Sequence, residues 1–567
     1  MKKKILAYLL ALTMVAASAG CSQAPASSAE PGSTASSGET SSQEQPREEY
    51  VIDVLLPEVQ NLLSTDTPVG NELKERFNIV FNIMAYAGDY DEQVALMLSS
   101  NSYPEIVRLR FAEDIQKYVK AGALVDLEEL ANSCGATNFL SFHEDSIKIW
   151  KLGSGDGKLY TWESDSPQIA LSTDVAVRSD VLEAAGWPDV LTEDEYIELL
   201  KLGMEKFPEV NGQPTVGMTL PGAESYGVQG IMPIMYEKAG YTALAGNGAV
   251  IYNNQEDKFE DYFLNKYVKS SFRFFNRLYQ EGILDPECFS DLAQQTTEKM
   301  VSGRALSTWY VTWDTGTANA ALRDAGMPEM QYVHMPVMSQ DQIDDGASRC
   351  FREMQSYVWT SNAITKNAKY PERIMEVLDF ASTEEGQLLL GWGIEDVHYT
   401  VDEDGTRIPT DELLENYKED NQYIYRQGID AFKFLGSVGL KDSSGQYYQM
   451  GRSEAFKLMT MNDREKEVYS HYGWTTDEDI WFKNDRFDIE YVQSGVVNTT
   501  TLDPTSAEGK LAQQLIDYRN KAAVELVMSE DFEATYAEVV EGYKQLNPEV
   551  VVDAFNSLYE ENKKALG

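Results

Sequence analysis

Strand patterns and helix patterns alternate along the chain after its first 50 residues. Val51–Leu56 is a mostly apolar run that Pro57 stops, which is the pattern of a buried strand. A helix pattern follows over 91–98, and a second apolar run comes at 106–109. Because this alternation is typical of strands layered against helices, the sequence predicts an α/β fold.

Helix signals continue through the rest of the chain. Thr192 and Glu195 are spaced as a capping box, in which the side chain of each residue bonds to the backbone N–H of the other. Gly282 stands where a long helix should end, and Pro371 stands where another should begin. The stretch from Lys510 onward is helical in pattern again, so the last third of the chain is predicted to be rich in helices.

The first 20 residues have the pattern of an export signal. Lysines at positions 2–4 precede an apolar run, Ile5–Val15, that is too short to span a bilayer. Small residues then lead to Cys21 in an arrangement that resembles a lipobox, with Ser18 where bacterial lipoproteins usually carry Leu. We predict that 1–20 is a signal peptide and that Cys21 carries a lipid anchor. The alternative is an ordinary secretory cleavage that leaves Cys21 as a free thiol.

The segment 21–49 is predicted to be a disordered tether. It consists mainly of Ser, Ala, Gln, Glu, Pro, Thr and Gly, so it cannot bury enough apolar surface to offset the entropy of ordering. A coil of about 28 residues has a root-mean-square reach of about 30 Å. The folded body would therefore stay close to the outer face of the cytoplasmic membrane.

The composition limits the kinds of molecule that this protein can bind. Hydrophobic residues make up 43% of the chain, enough to bury more than one core. Without the three signal lysines, 44 basic residues face 92 acidic ones, and a net charge of −48 excludes a basic patch for nucleic acid. Cys134, Cys288 and Cys350 show no paired spacing, and the four histidines form no metal-binding pattern, so neither a metal nor a cofactor is indicated.

Several segments have an order and spacing that match a known family. They include a Gly-Ile-Glu stretch in which Asp396 replaces the glycine usual in one lipoprotein subgroup. The segments are Glu92–Ser99, Tyr103–Val107, Val177–Leu182, Gly186–Pro188, Leu278–Glu287, Glu384–Gln387 and Gly393–Tyr399. Together they resemble family 1 extracellular solute-binding proteins, the maltose-binding-protein-like subunits of carbohydrate importers.

This resemblance implies a two-lobed fold in which a hinge closes the lobes over a sugar, which we expect to be an oligosaccharide. It implies that residues 50–165 and 335–415 form lobe 1, and that 166–334 and 416–567 form lobe 2. It further implies a monomer without catalytic activity, whose closed form docks on the transmembrane subunits of an ABC permease.

Aromatic residues beside carboxylates are the candidate ligand contacts, because sugars present apolar ring faces surrounded by hydroxyls. Trp309, Trp313 and Asp314 follow a strand pattern and are the first candidates, although either tryptophan could instead pack under a loop. The other candidates share a place next to a predicted strand or turn: Trp162, Glu163, Trp359, Glu395, Tyr399, Glu58, Asn61, Asp66 and Arg108. For Trp359 and Trp392 a core position is at least as compatible with the pattern, and Trp474 and Trp481 lie in a loop-like insert at 471–488.

Two other functions remain open at this point. A secreted glycoside hydrolase needs two carboxylates at a fixed separation, and the abundance of acidic residues does not establish such a pair. A surface adhesin or sensor could bind glycans without transport. No Gly-x-Ser-x-Gly or P-loop motif supports an esterase or a nucleotide hydrolase.

Overall fold

The computed structural model describes residues 47–57, 66–85, 90–110, 112–163, 168–169, 173–224, 227–228, 239–242, 248–347, 350–354, 361–436, 439–476, 479–483, 487–492 and 494–566. The predicted signal peptide, Cys21 and nearly all of the tether lie outside these ranges. Within them, no helix is both long and apolar enough to cross a membrane. All elements below belong to the unit Glu49–Gly567.

The strands, in chain order, are β1 Tyr50–Leu56, β2 Ile79–Ala85, β3 Ile106–Leu109, β4 Thr161–Trp162, β5 Gln168–Ile169, β6 Thr173–Arg178, β7 Glu209–Val210, β8 Gln213–Pro214, β9 Val216–Thr219, β10 Tyr241–Thr242, β11 Val250–Asn253, β12 Lys258–Asp261, β13 Ala305–Val311, β14 Tyr332–Met335, β15 Cys350–Met354, β16 Ser361–Ile364, β17 Tyr399–Val401, β18 Arg407–Pro409 and β19 Asp488–Val492.

The α-helices are α1 Pro68–Phe77, α2 Tyr90–Ser100, α3 Ala112–Lys120, α4 Leu127–Cys134, α5 Thr137–Phe142, α6 Glu144–Gly153, α7 Ser179–Ala184, α8 Glu193–Lys206, α9 Lys266–Gln280, α10 Ala293–Val301, α11 Thr312–Asp324, α12 Gln340–Asp344, α13 Pro371–Ala381, α14 Glu384–Gly391, α15 Asp411–Glu419, α16 Tyr423–Arg426, α17 Glu454–Thr460, α18 Asp463–Tyr472, α19 Asp479–Phe482, α20 Ser494–Thr499, α21 Ala507–Met528, α22 Phe532–Lys544 and α23 Glu549–Leu566.

Local signals in the sequence are confirmed where side chains and backbone meet within a few residues. The N–H of Glu195 donates to Thr192 at 3.2 Å and the N–H of Thr192 donates to the Glu195 carboxylate at 3.0 Å, so α8 begins with the predicted capping box. Pro371 is the first residue of α13. Gly282 follows α9 with a φ of 69°, a left-handed conformation that favours glycine at a helix end.

The first sheet has the strand order β2-β1-β3-β16-β4. β1 is parallel to both β2 and β3, whereas β16 is antiparallel to both of its neighbours. β16 comes from a point about 200 residues after β4 in the chain, so this sheet is completed by a segment distant in sequence.

The second sheet has the strand order β14-β6-β13-β9. β9 and β13 are parallel, and β6 is antiparallel to β13 and β14. One face of this sheet packs against α8 and α9 through residues such as Leu306 and Trp309, and the other face packs against α10 and α11 through Ala176 and Ala305.

The chain crosses between these two sheets at a third sheet of order β19-β15-β5. β5 follows β4 of the first sheet and precedes β6 of the second, while β15 lies between β14 of the second and β16 of the first. β15 pairs with β5 antiparallel and with β19 parallel. We call this third sheet the crossing sheet.

Contacts of the described residues lead us to propose lobe boundaries that differ from the predicted ones at two points. Met335 pairs with β6 of the second sheet, and the N–H of Met338 donates to the carbonyl of Leu191, so we place the return to lobe 1 after them, between β15 and β16. The residues from Ile424 to Phe456 pack with the first sheet, so they belong to lobe 1 although the sequence placed them in lobe 2. We therefore propose 50–163 and 361–456 for lobe 1, and 173–347 with the chain from 463 onward for lobe 2.

The predicted loop at 471–488 is also wrong in part, because it contains the end of α18 and all of α19. Trp474 stacks on Tyr472 with 4.5 Å between ring centroids, and Trp481 is only 3% exposed. Both tryptophans therefore fix this segment to the body of the protein.

Candidate ligand-binding site

The carboxyl ends of β1, β3 and β4 and the amino end of β16 lie at one edge of the first sheet. Open α/β sheets bind ligands outside the carboxyl ends of their strands. The register places Ser361 beside Leu109, and Asn362 between Arg108 and Trp162. This edge is therefore the candidate site on lobe 1.

Four polar side chains form the floor of this edge. The hydroxyl of Ser361 donates to the Glu163 carboxylate, and Arg108 Nε donates to the Asn362 amide oxygen at 3.1 Å. None of the four is more than 3% exposed. Buried polar groups that are already bonded hold a fixed geometry, so this floor positions the residues that follow each strand.

Arg110 is a partly exposed polar residue at this edge. It follows the last residue of β3, its side chain is 35% exposed, and one of its terminal nitrogens lies 3.5 Å from Asp91. A guanidinium in this place can donate several hydrogen bonds to sugar hydroxyls.

The corresponding edge of the second sheet is held by a buried charge cluster. Lys299 Nζ lies 2.6 Å from a carboxylate oxygen of Asp285, 2.6 Å from one of Asp291 and 3.0 Å from one of Glu287. The hydroxyl of Thr219, the last residue of β9, donates to Asp285 at 3.1 Å. We call these residues the Lys299 cluster.

The Lys299 cluster fixes the loop that leaves β9. The N–H of Gly222 donates to the carbonyl of Cys288 at 2.9 Å, and the N–H of Ala223 donates to that of Asp291 at 3.0 Å. A Cβ at Gly222 would lie 2.7 Å from the Cys288 carbonyl oxygen, so only glycine allows this close approach. The loop is thereby positioned at the carboxyl edge of the second sheet.

The electrostatics of Lys299 favour its charged form. Burial alone would lower the pKa of the ammonium, but hydrogen bonds to Asp285, Asp291 and Glu287 outweigh burial and raise it above the ordinary value. The described residues contain no group of three or more His, Cys, Asp or Glu side chains arranged to hold a metal ion. In this cluster the ammonium provides the positive charge between the carboxylates.

The structure places two predicted ligand contacts in the core. Trp309 is 1% exposed and packs against Phe274 and Phe275, with ring centroids 5.8 and 5.6 Å away. Trp162 is completely buried, and its indole N–H donates to the carbonyl of Phe434 at 2.8 Å. Both rings stabilise the body of a lobe, which corrects the expectation that they face a ligand.

Other predicted residues are dispersed. Tyr399 is 5% exposed and packs edge-on against Trp392, so it is also a core residue, while Glu395 and Asp66 are exposed. Arg108 and Glu163 belong to the floor described above. The backbone of Trp313 and Asp314 lies in the first turn of α11, but their side chains, together with all of Trp359, Glu58 and Asn61, lie outside the described residues.

Sequence reasoning missed the partners that complete both edges. Asn362 and Ser361 are uncharged, and they meet Arg108 and Glu163 only because β16 inserts between β3 and β4. Asp285 lies in a segment that carried the family resemblance, and its spacing to Asp291 and Lys299 was the available signal.

Comparisons with known proteins agree with this architecture. No family model matches the chain. The curated lipoprotein LipO of Bacillus subtilis (strain 168) is 22% identical over 545 residues, which cover 91% of this chain and 98% of LipO.

Solved structures resemble the chain over almost its whole length. Alginate-binding protein AlgQ2 without calcium ion has a TM-score of 0.61 at 17% identity, covering 90% of this chain and 98% of its own. An HMO-binding, ABC-transporter-associated solute-binding protein from Bifidobacterium longum infantis has a TM-score of 0.59 at 14% identity, with coverages of 90% and 99%. The S. pneumoniae substrate-binding protein FusA in complex with kestose has a TM-score of 0.56 at 13% identity, with coverages of 91% and 99%.

The chain has the two-lobed α/β fold of extracellular solute-binding proteins, which confirms the fold expected from the sequence resemblance.

Proposed function

We propose that this protein is the carbohydrate-binding subunit of an ABC importer and is anchored by lipid outside the cytoplasmic membrane. The observation that carries the proposal is the coverage: about nine tenths of the chain follows the fold of solute-binding proteins whose names specify sugar ligands. The sugar would bind between the polar edges of the two sheets, and closure at the crossing sheet would bring those edges together.

The two edges support this role because each is held rigid before ligand arrives. Arg108 and Asn362 fix the floor of one edge, and the Lys299 cluster fixes the loop at the other. Because the side chains at each edge are already ordered, binding loses less conformational entropy there. More of the free energy of the ligand contacts then contributes to affinity when the lobes close. This arrangement requires no catalytic step.

A thermal-shift screen of the protein from residue 47 onward tests the proposal. The panel should hold alginate oligosaccharides, milk oligosaccharides, kestose and maltose-type sugars, with amino acids and short peptides as comparison ligands. A sugar that binds only the folded state should raise the melting temperature with increasing concentration. A rise with peptides alone would contradict the sugar assignment.

Product analysis separates binding from hydrolysis. Each sugar that binds is incubated with the protein and then separated by length on a carbohydrate column. An importer subunit should return the sugar uncut, whereas accumulation of shorter products would establish the glycoside hydrolase alternative. Uptake of the sugar by cells that lack the gene distinguishes an importer subunit from an adhesin. Uptake should fall if the protein is an importer subunit and stay unchanged if it is an adhesin.

The anchor has its own test. Cells that produce the wild-type chain should retain it in the membrane fraction, and Cys21→Ala should release it to the medium, since two acyl chains provide stable anchoring. Ser18→Leu is the matched control, which should keep or increase retention. Equal retention of the wild type and Cys21→Ala would contradict lipid anchoring.

A further inference from the structure

A pocket of about 900 Å³ opens beside the second sheet and is lined by both lobes. One wall is formed by α11 and by β14, including Thr315, Gly316 and His334. The opposite wall contains Tyr417, from α15 of lobe 1, and Asn421, which follows that helix. This volume is near the upper end of the roughly 300–1,000 Å³ of small-molecule sites.

The near end of the pocket lies close to the candidate sugar site, and the pocket runs from there along α11 and the edge strand β14 towards the amino end of β13. β13 ends at Val311 on the carboxyl edge of the second sheet, and α11 begins at Thr312. Thr315 and Gly316 are therefore about one turn of helix away from that edge. The Thr315 hydroxyl lies 2.8 Å from His334 Nε2, which fixes this end of the wall.

Part of the wall is occupied by internal hydrogen bonds. Asn319 pairs with both the N–H and the carbonyl of Tyr332, at 2.7 and 3.0 Å, and so covers the edge strand β14. The side-chain amides of Gln331 and Asn462 bond to each other at 3.0 and 3.3 Å. These groups shape the pocket but are already paired.

The lobe 1 wall presents polar groups that are available to a ligand. Tyr417 is half-buried with its ring packed edge-on against Phe456, and among the described residues its hydroxyl makes no hydrogen bond. The amide nitrogen of Asn421 likewise makes none within the described ranges, while its oxygen accepts from Gln422 at 3.2 Å. An aromatic ring beside a hydroxyl and an amide is the chemistry that recognises sugar rings.

Charge favours an uncharged ligand. The lining contains five Lys or Arg residues and five Asp or Glu residues, so it has no net charge in a chain whose formal charge is −45. Arg323 already lies 3.6 Å from Glu465, and Arg464 lies 2.9 Å from Glu183. The lining therefore has no surplus of cations to neutralise a polyanionic chain.

Resting on the proposed function, we infer that this pocket is an extension of the sugar site and receives the far end of an uncharged oligosaccharide. The ligand is then a chain of several sugar units that spans from the sheet edges into the pocket. Because both lobes line the pocket, its occupant contacts both and favours one relative position of the lobes.

Gly316 offers a direct way to block the pocket. It lies in α11, and a Cβ added there meets no heavy atom within 4 Å, so a side chain would project into open space. Gly316→Phe should fill the near end of the pocket, and Gly316→Ala is the control that adds one carbon. Equal melting temperatures of the two variants without sugar establish that both fold.

The probes are three ladders of increasing length, read by titration calorimetry: fructose-based from kestose, glucose-based from maltose, and anionic alginate oligosaccharides. In the neutral oligosaccharide series that binds, the affinity for long oligosaccharides should exceed the affinity for the shortest one by about tenfold or more, both in the wild type and in Gly316→Ala. Gly316→Phe should lose this gain in affinity with length and keep the affinity for the shortest oligosaccharide. Tyr417→Phe should reduce the gain several-fold without changing apo stability.

The outcomes separate the two proposals. If sugars bind but Gly316→Phe keeps the full gain with length, the pocket is not part of the site. If the alginate ladder binds more tightly than both neutral ladders, the charge argument is wrong. If no ladder binds the wild type, the proposed function itself falls and the pocket inference with it.

Discussion

At the scale of single residues, His143 makes the protein sensitive to acid. It is 4% exposed and lies among the rings of Phe139, Phe142 and Trp150, with centroids 4.9 to 5.3 Å away. Burial lowers its pKa from 6.5 to about 3. The neutral ring therefore contributes stability that is present above pH 6.5 and is lost as the pH falls from 6.5 towards 3.

We predict that His143→Phe loses less stability than the wild type between pH 7.5 and pH 5. The wild type should lose about 2 kcal/mol through this group at pH 5, because the unfolded chain binds a proton that the folded chain excludes. Urea unfolding at both pH values measures the difference. Equal losses in the two proteins would show that His143 is charged or solvated in the folded state.

Trp309 gives a second prediction at this scale. Because its ring fills space between Phe274, Phe275 and the second sheet, Trp309→Ala should lower the free energy of unfolding by about 3–5 kcal/mol. Chemical denaturation without sugar measures this loss. Unchanged stability with weakened sugar binding would instead restore the ligand-contact role that the sequence suggested.

The two tryptophans show what residue-level reasoning can and cannot predict. Trp162 ends β4, and Trp309, which was expected to follow a strand, lies within β13. A strand residue faces either the core or the ligand, and residue type alone does not decide between them. Packing partners decide the question, and they are far away in the sequence. Phe434, which accepts the hydrogen bond of Trp162, comes much later in the chain, and Phe274, which packs against Trp309, comes 35 residues earlier.

At the scale of structural elements, the Lys299 cluster joins α10 to the loops after β9 and α9. Lys299→Met should destabilise the protein by about 3–5 kcal/mol, because it leaves two buried carboxylates, Asp285 and Asp291, without their cation. Amide exchange should increase in 220–224 and 285–291, where the backbone bonds between the loops depend on the cluster.

Glu287→Gln is the matched control for Lys299→Met. The Glu287 side chain is 69% exposed, so its ion pair with Lys299 is screened by water and its loss should change stability by less than about 1 kcal/mol. If both variants lose the same stability, the buried carboxylates are not the source of the effect.

Elements whose signals are local were the predictable ones. The capping box at Thr192 and the proline that begins α13 depend on residues within four positions of one another, and the first strand depends on one short apolar run. The lobe boundary near Phe456 was not predictable in this way, because it depends on which core a helix packs against rather than on whether the helix forms.

At the scale of the whole molecule, the first sheet depends on a late segment of the chain. A chain that ends at Met354 lacks β16 and the residues up to Phe456 that complete the first core. We predict that its amides in β1 and β3 exchange rapidly, as in an unfolded segment. Hydrogen exchange followed by mass spectrometry measures this protection.

A chain that ends at Thr500 is the control for this truncation. It keeps β16 and the whole first core but lacks the three C-terminal helices, of which α21 packs against α9, while α23 packs against β12 and also against α6 of lobe 1. It should therefore protect β1 and β3 and expose the sheet β10-β11-β12. Protection of β1 and β3 in the shorter chain would mean that these strands form their sheet without β16.

The position of β16 between β3 and β4 also sets a delay during synthesis. About 200 residues separate β4 from β16, and at roughly 5–20 residues per second this gap takes about 10–40 s to emerge, whether from a ribosome or through a membrane pore. During that interval β3 and β4 present unpaired edges that can aggregate. We expect the same topology to leave the first sheet incomplete until β16 is available, and an incomplete fold is the form in which a chain can be threaded across a membrane.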